Sequence, residues 1–358
     1  MSNARYRVVH ITPYMPPVVG GISTYVSGLT ATLADRGVEV IVMAREGGEA
    51  PGVMVGPHRI PEFIRWCRRN LRTMGATAVH AHGHWYCLAG ALSRTRRPIV
   101  RPLVFTLHSS PIFRSHLRAR LFRKLISRAD IVTFVSEESR GKFQRVFGLP
   151  PQSEVIYPGV KRETTGIDQP TVTFPLPKSS FRVCAISLLS WPEKVDGIRL
   201  LLDAIAELSE EIEDVDLSIV GDGEYRTELE TQVARLGIGK HVRFLGILPD
   251  PGPILMQADV LCHISFKDSF AQVVLEALSH EVPVLLNEGI LDELHSLSPD
   301  TGVIRTAPDA HSLKLALAEL AGNPERRRRL GKAGKEFVAK TFLWSSQVER
   351  FLEVYGIT

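Results

Sequence analysis

The sequence predicts an α/β protein made of two doubly wound, parallel-sheet domains that face each other across an interdomain cleft. Short apolar segments alternate with longer helical segments along almost the whole chain, as in strand–helix–strand units. The 358 residues, 44% of them hydrophobic, are enough for two cores of ordinary size. A polar stretch at residues 161–170 lacks periodicity and is the predicted linker. We therefore predict an N-terminal domain over residues 1–165 and a C-terminal domain over residues 175–341.

The N-terminal domain begins with a strand–helix–strand unit. Residues 7–11 are strand-like, residues 22–36 have helical periodicity and end before a glycine, and residues 38–43 form the next strand. Three further apolar strands are predicted, at residues 78–82, 102–107 and 131–135. Helical segments lie between them, so we expect a parallel sheet covered on both faces.

The C-terminal domain repeats this alternation. Strands are predicted at residues 182–187, 216–220, 242–245, 260–264 and 282–286. Helices are predicted at residues 197–209, at residues 225–236, and in a segment that ends at Ser279. Doubly wound sheets bind ligands at the carboxyl ends of their strands. The loops that follow these strands are therefore the expected site.

Composition restricts the class of protein. No apolar run approaches the roughly 20 residues needed to span a bilayer, and the N-terminus lacks the apolar stretch of a signal peptide, so we expect a cytoplasmic protein. The four cysteines are far apart and include no C-x-x-C pair. This spacing favours reduced, buried thiols over disulfides or a zinc site.

Charge is distributed unevenly along the chain. Residues 1–170 contain 24 Lys and Arg against 11 Asp and Glu, a net charge of +13, and the remaining residues contain 19 against 28, a net charge of −9. A basic N-terminal half favours an anionic partner, either a small molecule or a lipid surface. We expect no nucleic-acid partner, because no binding motif or aromatic platform accompanies the charge.

Two segments could bring this basic charge to a membrane. Residues 60–72 and residues 112–128 combine helical apolar spacing with an arginine-rich opposite face, as membrane-surface helices do. The alternative is that each helix packs its apolar side on the core and leaves a solvated basic face. The sequence leaves both interpretations open.

Asp268 and Glu276 are the most informative polar residues. They are eight residues apart and bracket the start of a predicted buried helix. A carboxylate among apolar neighbours must be hydrogen-bonded or face a cleft, and its two acceptor oxygens match the adjacent hydroxyls of a ribose or hexose. The alternative is that Asp268 or Ser269 only caps the helix and Glu276 faces solvent.

Two glycine pairs occupy turns between a strand and a helix. At Gly20 and Gly21 the missing side chains would let a diphosphate or another ligand approach the backbone and meet the amides at a helix N-terminus. Gly221 and Gly223 lie at a similar turn in the C-terminal domain. An ordinary turn is the alternative for each pair.

Several motifs in this order and spacing resemble the retaining glycosyltransferases of family 4, which share the GT-B architecture and use nucleotide-sugar donors. The resemblance covers nearly the whole chain and rests on residues 15–23, 78–83, 106–108, 135–137, 156–160, 192–194, 219–223 and 265–283. It implies two Rossmann-like domains, an acceptor bound mainly by the first and a nucleotide sugar bound by the second. It also implies that a C-terminal helix within residues 342–358 crosses back onto the first domain.

The resemblance implies roles for individual residues. The implied catalytic residues are His108 and Asp268 at the donor sugar and Lys194 at the phosphates. The implied nucleotide-sugar-binding residues are Gly20, Gly21, Gly221, Gly223, Ser269, Phe270, Ala271 and Glu276, with Glu276 on the ribose. For His108, a structural role at the end of a strand is the alternative.

The chemistry implied by the resemblance needs no cofactor. Retention is explained by attack on the front face of the sugar, with the departing phosphate accepting the acceptor's proton, so neither a protein nucleophile nor a metal is required. His80, His82 and His84 alternate and would share one face of a strand, as metal ligands can. We nevertheless expect no metal there, because the family carries a similar pattern without one.

The chain departs from the family pattern around the donor. No arginine precedes Lys194 in residues 186–194, and one lysine is a poor substitute for the forked guanidinium. Asp268 replaces a glutamate, residues 269–271 replace Gly-Phe-Gly, and Asn287 begins a segment where a Gly-Gly pair is common. These changes imply an unusual donor or weaker transfer. The alternative function is a nucleotide-sugar-binding subunit or a pseudo-glycosyltransferase.

Overall fold

The protein is described by a computed structural model. The residues described are 6–93, 95–109, 115–160, 181–268, 270–290 and 301–357. The chain divides into two compact units, one formed by residues 1–161 with 342–358 and the other by residues 162–341. The predicted linker at residues 161–170 lies outside the described residues.

The first unit contains a seven-stranded sheet in the order β3-β2-β1-β4-β5-β6-β7, with every pair of neighbouring strands parallel. Its strands are β1 Arg7–Tyr14, β2 Glu39–Glu46, β3 Val53–Val55, β4 Ala78–His82, β5 Leu103–Leu107, β6 Ile131–Phe134 and β7 Ser153–Val155. The strand order reverses between β1 and β4. The carboxyl ends of these two central strands are therefore the expected binding position.

Helices connect these strands. They are α1 Gly21–Asp35, α2 Ile60–Leu71, α3 Trp85–Ala91, α4 His116–Ile126 and α5 Glu137–Phe147. The C-terminal segment of the chain adds α12 Trp344–Tyr355 to the same unit, where Val160 forms an isolated parallel bridge with Leu343. A Cβ on Gly28 of α1 would lie 2.1 Å from Nε1 of Trp344, so the glycine lets α1 and α12 pack closely.

The second unit contains a six-stranded parallel sheet in the order β10-β9-β8-β11-β12-β13. Its strands are β8 Phe181–Ile186, β9 Val215–Val220, β10 Val242–Gly246, β11 Val260–His263, β12 Val284–Asn287 and β13 Val303–Thr306. Its helices are α6 Pro192–Ser209, α7 Arg226–Leu236, α8 Gly252–Leu255, α9 Gln272–Ser279, α10 Ala310–Gly322 and α11 Pro324–Thr341. Here the strand order reverses between β8 and β11.

Each unit has its own apolar core, as the composition predicts. In the first unit the core is formed by strands β1 and β4–β6 with buried positions of the helices around them, such as Phe63 and Cys67 of α2. In the second unit it is formed by β8, β9 and β11 with α6, α7 and α10. All four cysteines are buried and unpaired, which confirms that prediction. Among the described residues, no helix combines the length and the apolar character that crossing a membrane requires.

Candidate active site

Lys194 and Asp268 meet at the carboxyl ends of the central strands of the second sheet. Lys194 lies in the first turn of α6, after β8, and Asp268 lies in the loop that follows β11. Because β8 and β11 are neighbours in the sheet, the loops that follow them emerge side by side. The Nζ atom of Lys194 lies 3.2 Å from Oδ2 of Asp268. The two side chains are 27% and 10% exposed, so the pair is largely buried.

Backbone contacts hold these two loops together. A Cβ on Gly197 would lie 1.9 Å from the carbonyl oxygen of Ile264, so α6 approaches the end of β11 at a distance that only glycine allows. The N–H of Phe266 donates to the carbonyl oxygen of Glu193 at 3.1 Å. The position of Lys194 against Asp268 is thus set by main-chain packing.

His263 is a third member of this cluster and was not predicted. It is the last residue of β11, 5% exposed, and its Nε2 lies 3.0 Å from Oδ2 of Asp268. Burial alone would raise the pKa of Asp268, but the hydrogen bond from His263 and the charge of Lys194 outweigh it and lower the pKa. Asp268 is therefore ionised at neutral pH. The sequence feature that could have indicated His263 as a site residue is its position as a polar residue at the end of an apolar strand.

Asp268 does not cap the following helix. Helix α9 begins at Gln272 with Ala271 as its N-cap, and none of the described side chains caps it. The capping interpretation of Asp268 is therefore wrong, since the carboxylate is already held by His263 and Lys194. Phe270 and Ala271 lead into the helix, and Ser269 lies outside the described residues.

Glu276 lies in the middle of α9, and its side chain is mostly buried. Burial, and secondarily the charge of Asp250, raise its pKa to about 7. Across the described ranges, no residue donates a hydrogen bond or forms an ion pair with this carboxylate. The two acceptor oxygens of Glu276 are thus available to an external donor.

Gly221 and Gly223 follow β9 and lie against the loop that follows β8. A Cβ on Gly221 would lie 1.8 Å from the carbonyl oxygen of Ser187, and a Cβ on Gly223 would lie 2.3 Å from the carbonyl carbon of Leu189. Both glycines are thus required by protein packing. A contact with a nucleotide remains a prediction.

Asn287, at the end of β12, ties down the loop after β11. Its Oδ1 accepts from the N–H of Ser265 at 2.9 Å, and its Nδ2 donates to the carbonyl oxygen of Glu288 at 3.1 Å. The asparagine is 2% exposed. This departure from the family pattern therefore orders the backbone near Asp268.

Two further cations lie at this edge of the sheet. Lys267 Nζ is 3.5 Å from Oε1 of Glu193, and Arg226 NH1 is 3.2 Å from Oδ2 of Asp222. Both cations, like Lys194, are matched by a carboxylate. An anionic ligand would have to compete with these partners.

The first sheet presents a second group of predicted residues. Gly20 is the N-cap of α1 and Gly21 is its first residue. A Cβ on Gly21 would meet no atom of another described segment within 4 Å. Packing therefore does not explain this glycine, unlike Gly221 and Gly223.

His108 directly follows β5 and is half-buried. Its Nε2 lies 3.3 Å from Nδ1 of His82, and the ring of Tyr25 packs edge-on against it with centroids 4.7 Å apart. Burial lowers the pKa of His108, so the ring is neutral at physiological pH.

The alternating histidines do not share one face as predicted. His84 lies beyond β4, as the N-cap of α3, because the strand ends at His82. His10 of β1 takes its place, with Nδ1 2.8 Å from Nε2 of His82. His10, His80 and His82 are fully buried and have ring nitrogens within 4.8 Å of one another. The absence of a metal here stays a prediction.

Comparisons with known proteins identify the family of this chain. The family described as "Glycosyl transferases group 1" matches residues 192–337, and the family described as "Glycosyltransferase Family 4" matches residues 19–164. The chain is 26% identical over 307 residues to a GDP-mannose-dependent alpha-(1-6)-phosphatidylinositol monomannoside mannosyltransferase of Mycolicibacterium smegmatis, and the alignment covers 75% of each protein.

Solved structures show the same fold. Sucrose-phosphate synthase from Thermosynechococcus elongatus is similar with a TM-score of 0.82 at 20% identity, over 98% of both chains. HepE of Anabaena, in complex with UDP and glucose, is similar with a TM-score of 0.80 at 21% identity, over 98% of this chain and 99% of HepE. The predicted GT-B class, with two Rossmann-like α/β domains, is confirmed.

Proposed function

This chain belongs to glycosyltransferase family 4, and we propose that it is a retaining enzyme that transfers a hexosyl or related sugar from a nucleotide-diphosphate-sugar donor to a hydroxyl group of an anionic acceptor. The mannosyltransferase relative depends on GDP-mannose, and HepE has been crystallised with UDP. One relative therefore uses a nucleotide sugar and the other binds a nucleoside diphosphate. In this proposal the second unit binds the donor and the first unit binds the acceptor.

The observation that carries the proposal is that the Glu276 carboxylate is mostly buried without a partner among the described residues. A mostly buried carboxylate with no protein partner in the described residues is costly unless something else satisfies it. A ribose offers two adjacent hydroxyl donors, which match its two oxygens. Eight residues earlier, the ionised carboxylate of Asp268 would accept hydrogen bonds from the hydroxyls of a sugar.

Lys194 supplies positive charge where the diphosphate would leave. In the proposed reaction the bond between the anomeric carbon and the phosphate oxygen breaks, and its electron pair goes to the diphosphate. The acceptor hydroxyl forms the new bond on the same face and gives its proton to the departing phosphate. Fixed charges and N–H groups stabilise the charge that develops. Since Asp268 neutralises part of the charge of Lys194, we expect modest rates.

A panel of nucleotide sugars, tested by thermal shift and by release of nucleoside diphosphate, checks this function. A ligand that binds only the folded state raises the unfolding temperature. We expect Glu276→Gln to weaken donor binding about tenfold, and the exposed Glu336→Gln to change nothing. NMR of the product would show the anomeric configuration.

The outcomes separate the alternatives. Donor binding without nucleoside diphosphate release, with every acceptor tried, would support a nucleotide-sugar-binding subunit or pseudo-glycosyltransferase. An inverted product would contradict retention. Normal donor binding by Glu276→Gln would remove the basis of the proposal.

We further propose that the first unit places the enzyme on an anionic membrane surface, on the cytoplasmic side, through α4. Leu117 and Leu121 lie one turn apart on this helix and are 67% and 56% exposed. The helix contains no acidic residue and exposes Arg118, Arg120, Arg123 and Lys124. Exposed leucines among basic side chains are typical of a helix that lies in a lipid interface.

Helix α2 differs from α4. Its apolar positions Phe63, Cys67 and Leu71 are buried in the core, and Arg65 and Arg69 are exposed. The core-packed interpretation therefore fits α2. Of the two predicted segments, α4 is the one whose apolar side chains are available to lipid.

Sedimentation with vesicles tests the membrane proposal. We expect binding to vesicles of phosphatidylglycerol, little binding to phosphatidylcholine, and loss of binding in Leu117→Ser/Leu121→Ser. Val146→Ser, at a position 69% exposed on α5, is the matched control and should bind normally. Equal binding of the double variant would contradict the role of α4.

A further inference from the structure

Three histidines of the first unit form one continuous hydrogen-bonded series. His10 Nδ1 lies 2.8 Å from His82 Nε2, and His82 Nδ1 lies 3.3 Å from His108 Nε2. The residues come from β1, β4 and the end of β5. Strands β1 and β5 flank β4 in the sheet, so the series runs across the switch point from a buried strand to the half-buried His108.

All three rings are neutral, so the position of the proton on one ring determines its position on the neighbouring ring. Burial lowers the pKa of His10 to about 3 and the pKa of His82 well below its ordinary value. A neutral imidazole carries one N–H and one bare nitrogen. His82 can therefore donate to only one neighbour and must accept from the other. The tautomer of each ring in the series determines the tautomer of the next.

Only two arrangements satisfy both hydrogen bonds. In the first, His10 and His82 each carry the proton on Nδ1 and donate towards His108, whose own proton is then also on Nδ1. In the second, all three protons are on Nε2 and the donation runs the other way. The arrangements differ in whether Nδ1 of His108 donates or accepts.

The environment of His10 selects the first arrangement. Its Nε2 is buried and has no hydrogen-bond partner among the described residues. The second arrangement would place an N–H group there, and buried N–H groups without a partner are rare in folded proteins. The first arrangement places a bare nitrogen at that position instead.

We propose that His10 and His82 are positioning residues that hold His108 as the Nδ1–H tautomer, so that Nδ1 of His108 donates a hydrogen bond to an oxygen of the bound acceptor. This rests on the proposed function, in which the first unit binds the acceptor. In the described part of the chain no residue is hydrogen-bonded to Nδ1 of His108. The ring acts as a neutral donor and does not act as a base.

The spacing of these histidines fits hydrogen bonds, and the absence of a metal stays a prediction. His80 uses both nitrogens for other contacts, with Nδ1 2.6 Å from the Tyr355 hydroxyl and Nε2 2.5 Å from Oγ1 of Thr106. The nitrogens of His10 and His82 are at a hydrogen-bond distance, whereas two tetrahedral zinc ligands lie about 3.4 Å apart. A proton between the two rings fits this spacing.

Long-range ¹H–¹⁵N NMR of the full chain labelled with ¹⁵N-histidine tests the proposal. We expect His10, His82 and His108 to be protonated on Nδ1. His10→Phe should leave His108 as a mixture of tautomers and lower kcat about tenfold, the value of one hydrogen bond, with little change in the KM of the donor. His10→Asn keeps a donor near the Nδ1 position and should restore the single tautomer.

His80→Phe is the control, because His80 is equally buried but lies outside the series. It should leave the tautomer of His108 unchanged. The proposal is overturned if His108 is protonated on Nε2 or if His10→Phe leaves the tautomer of His108 unchanged. It is also overturned if one equivalent of Zn²⁺ shifts the ring nitrogen signals of His10, His82 and His108. Absence of turnover by the wild-type protein would count against the proposed function alone, since the tautomers are measured without substrate.

Discussion

Lys194 Nζ and Asp268 Oδ2 lie 3.2 Å apart at the switch point of the second sheet, where Lys194 lies in the first turn of α6 and Asp268 in the loop after β11. The two residues are 74 positions apart in the sequence, and packing of α6 onto the end of β11 brings them together. Because both side chains are largely buried, the pair is screened less than an ion pair at the surface. Two predicted site residues thus form one ion pair.

A double-mutant cycle measures this pair. With Lys194→Met, Asp268→Asn and the double variant, denaturant unfolding at pH 7 should give a coupling free energy of about 1–2 kcal/mol. The exposed pair Lys335 and Glu281 is the control, since its coupling should stay below about 0.5 kcal/mol. Equal coupling in both cycles would show that the partial burial of the first pair has no energetic effect.

The stability of the ligand-free protein should depend on pH through Glu276. Its folded-state pKa is raised to about 7, so the folded state keeps a proton that the unfolded state loses at its ordinary pKa. The stabilising contribution is therefore complete below that ordinary pKa and lost as pH rises to about 7. Glu276→Gln cannot ionise, so relative to wild type it should gain about 1–3 kcal/mol between pH 5 and pH 8.

Thermal unfolding of both proteins across this pH range checks the prediction for Glu276. Glu336→Gln supplies the baseline for loss of an exposed carboxylate. A difference between Glu276→Gln and wild type that stays constant with pH would mean that Glu276 ionises normally in the folded state.

Gly21→Ala should separate stability from activity. The added Cβ meets no atom within 4 Å from other parts of the described chain, and alanine favours the first turn of α1, so stability should be kept or raised by up to about 1 kcal/mol. If a ligand approaches this backbone, kcat/KM should fall about tenfold or more. Gly239→Ala, where a Cβ also meets nothing, is the matched control. Full activity of Gly21→Ala would mean that no ligand contacts this turn.

Gly197→Ala should have the opposite character. The new Cβ would overlap the carbonyl oxygen of Ile264, and α6 would have to move away from β11. We expect a loss of at least about 2 kcal/mol in the free energy of unfolding, with weaker donor binding because Lys194 moves with the helix. Gly141→Ala in α5, which has room for a methyl group, should stabilise the protein by about 0.5–1 kcal/mol. Denaturant unfolding of the two variants decides between these expectations.

For Glu276 the sequence left both a cleft-facing and a solvent-facing position open. The alternation of strands and helices and the two doubly wound sheets, by contrast, could be predicted from it. These features depend on local periodicity and on which residues are apolar, and both are visible in a single chain. The segments that carry Lys194, Asp268 and His108 were placed after strand ends for the same reason, although Lys194 lies in the first turn of α6, which begins before the predicted start at residue 197.

The partners of these side chains depended on tertiary structure. Asp268 was open to interpretation as a helix cap until packing placed His263 and Lys194 beside it. His84 was grouped with His80 and His82, but β4 ends before it. Instead, β1 supplies His10, which lies 72 residues before His82 in the sequence. Contacts of this kind follow from the neighbours and the register of strands in a sheet, and periodicity along one strand carries no information about either.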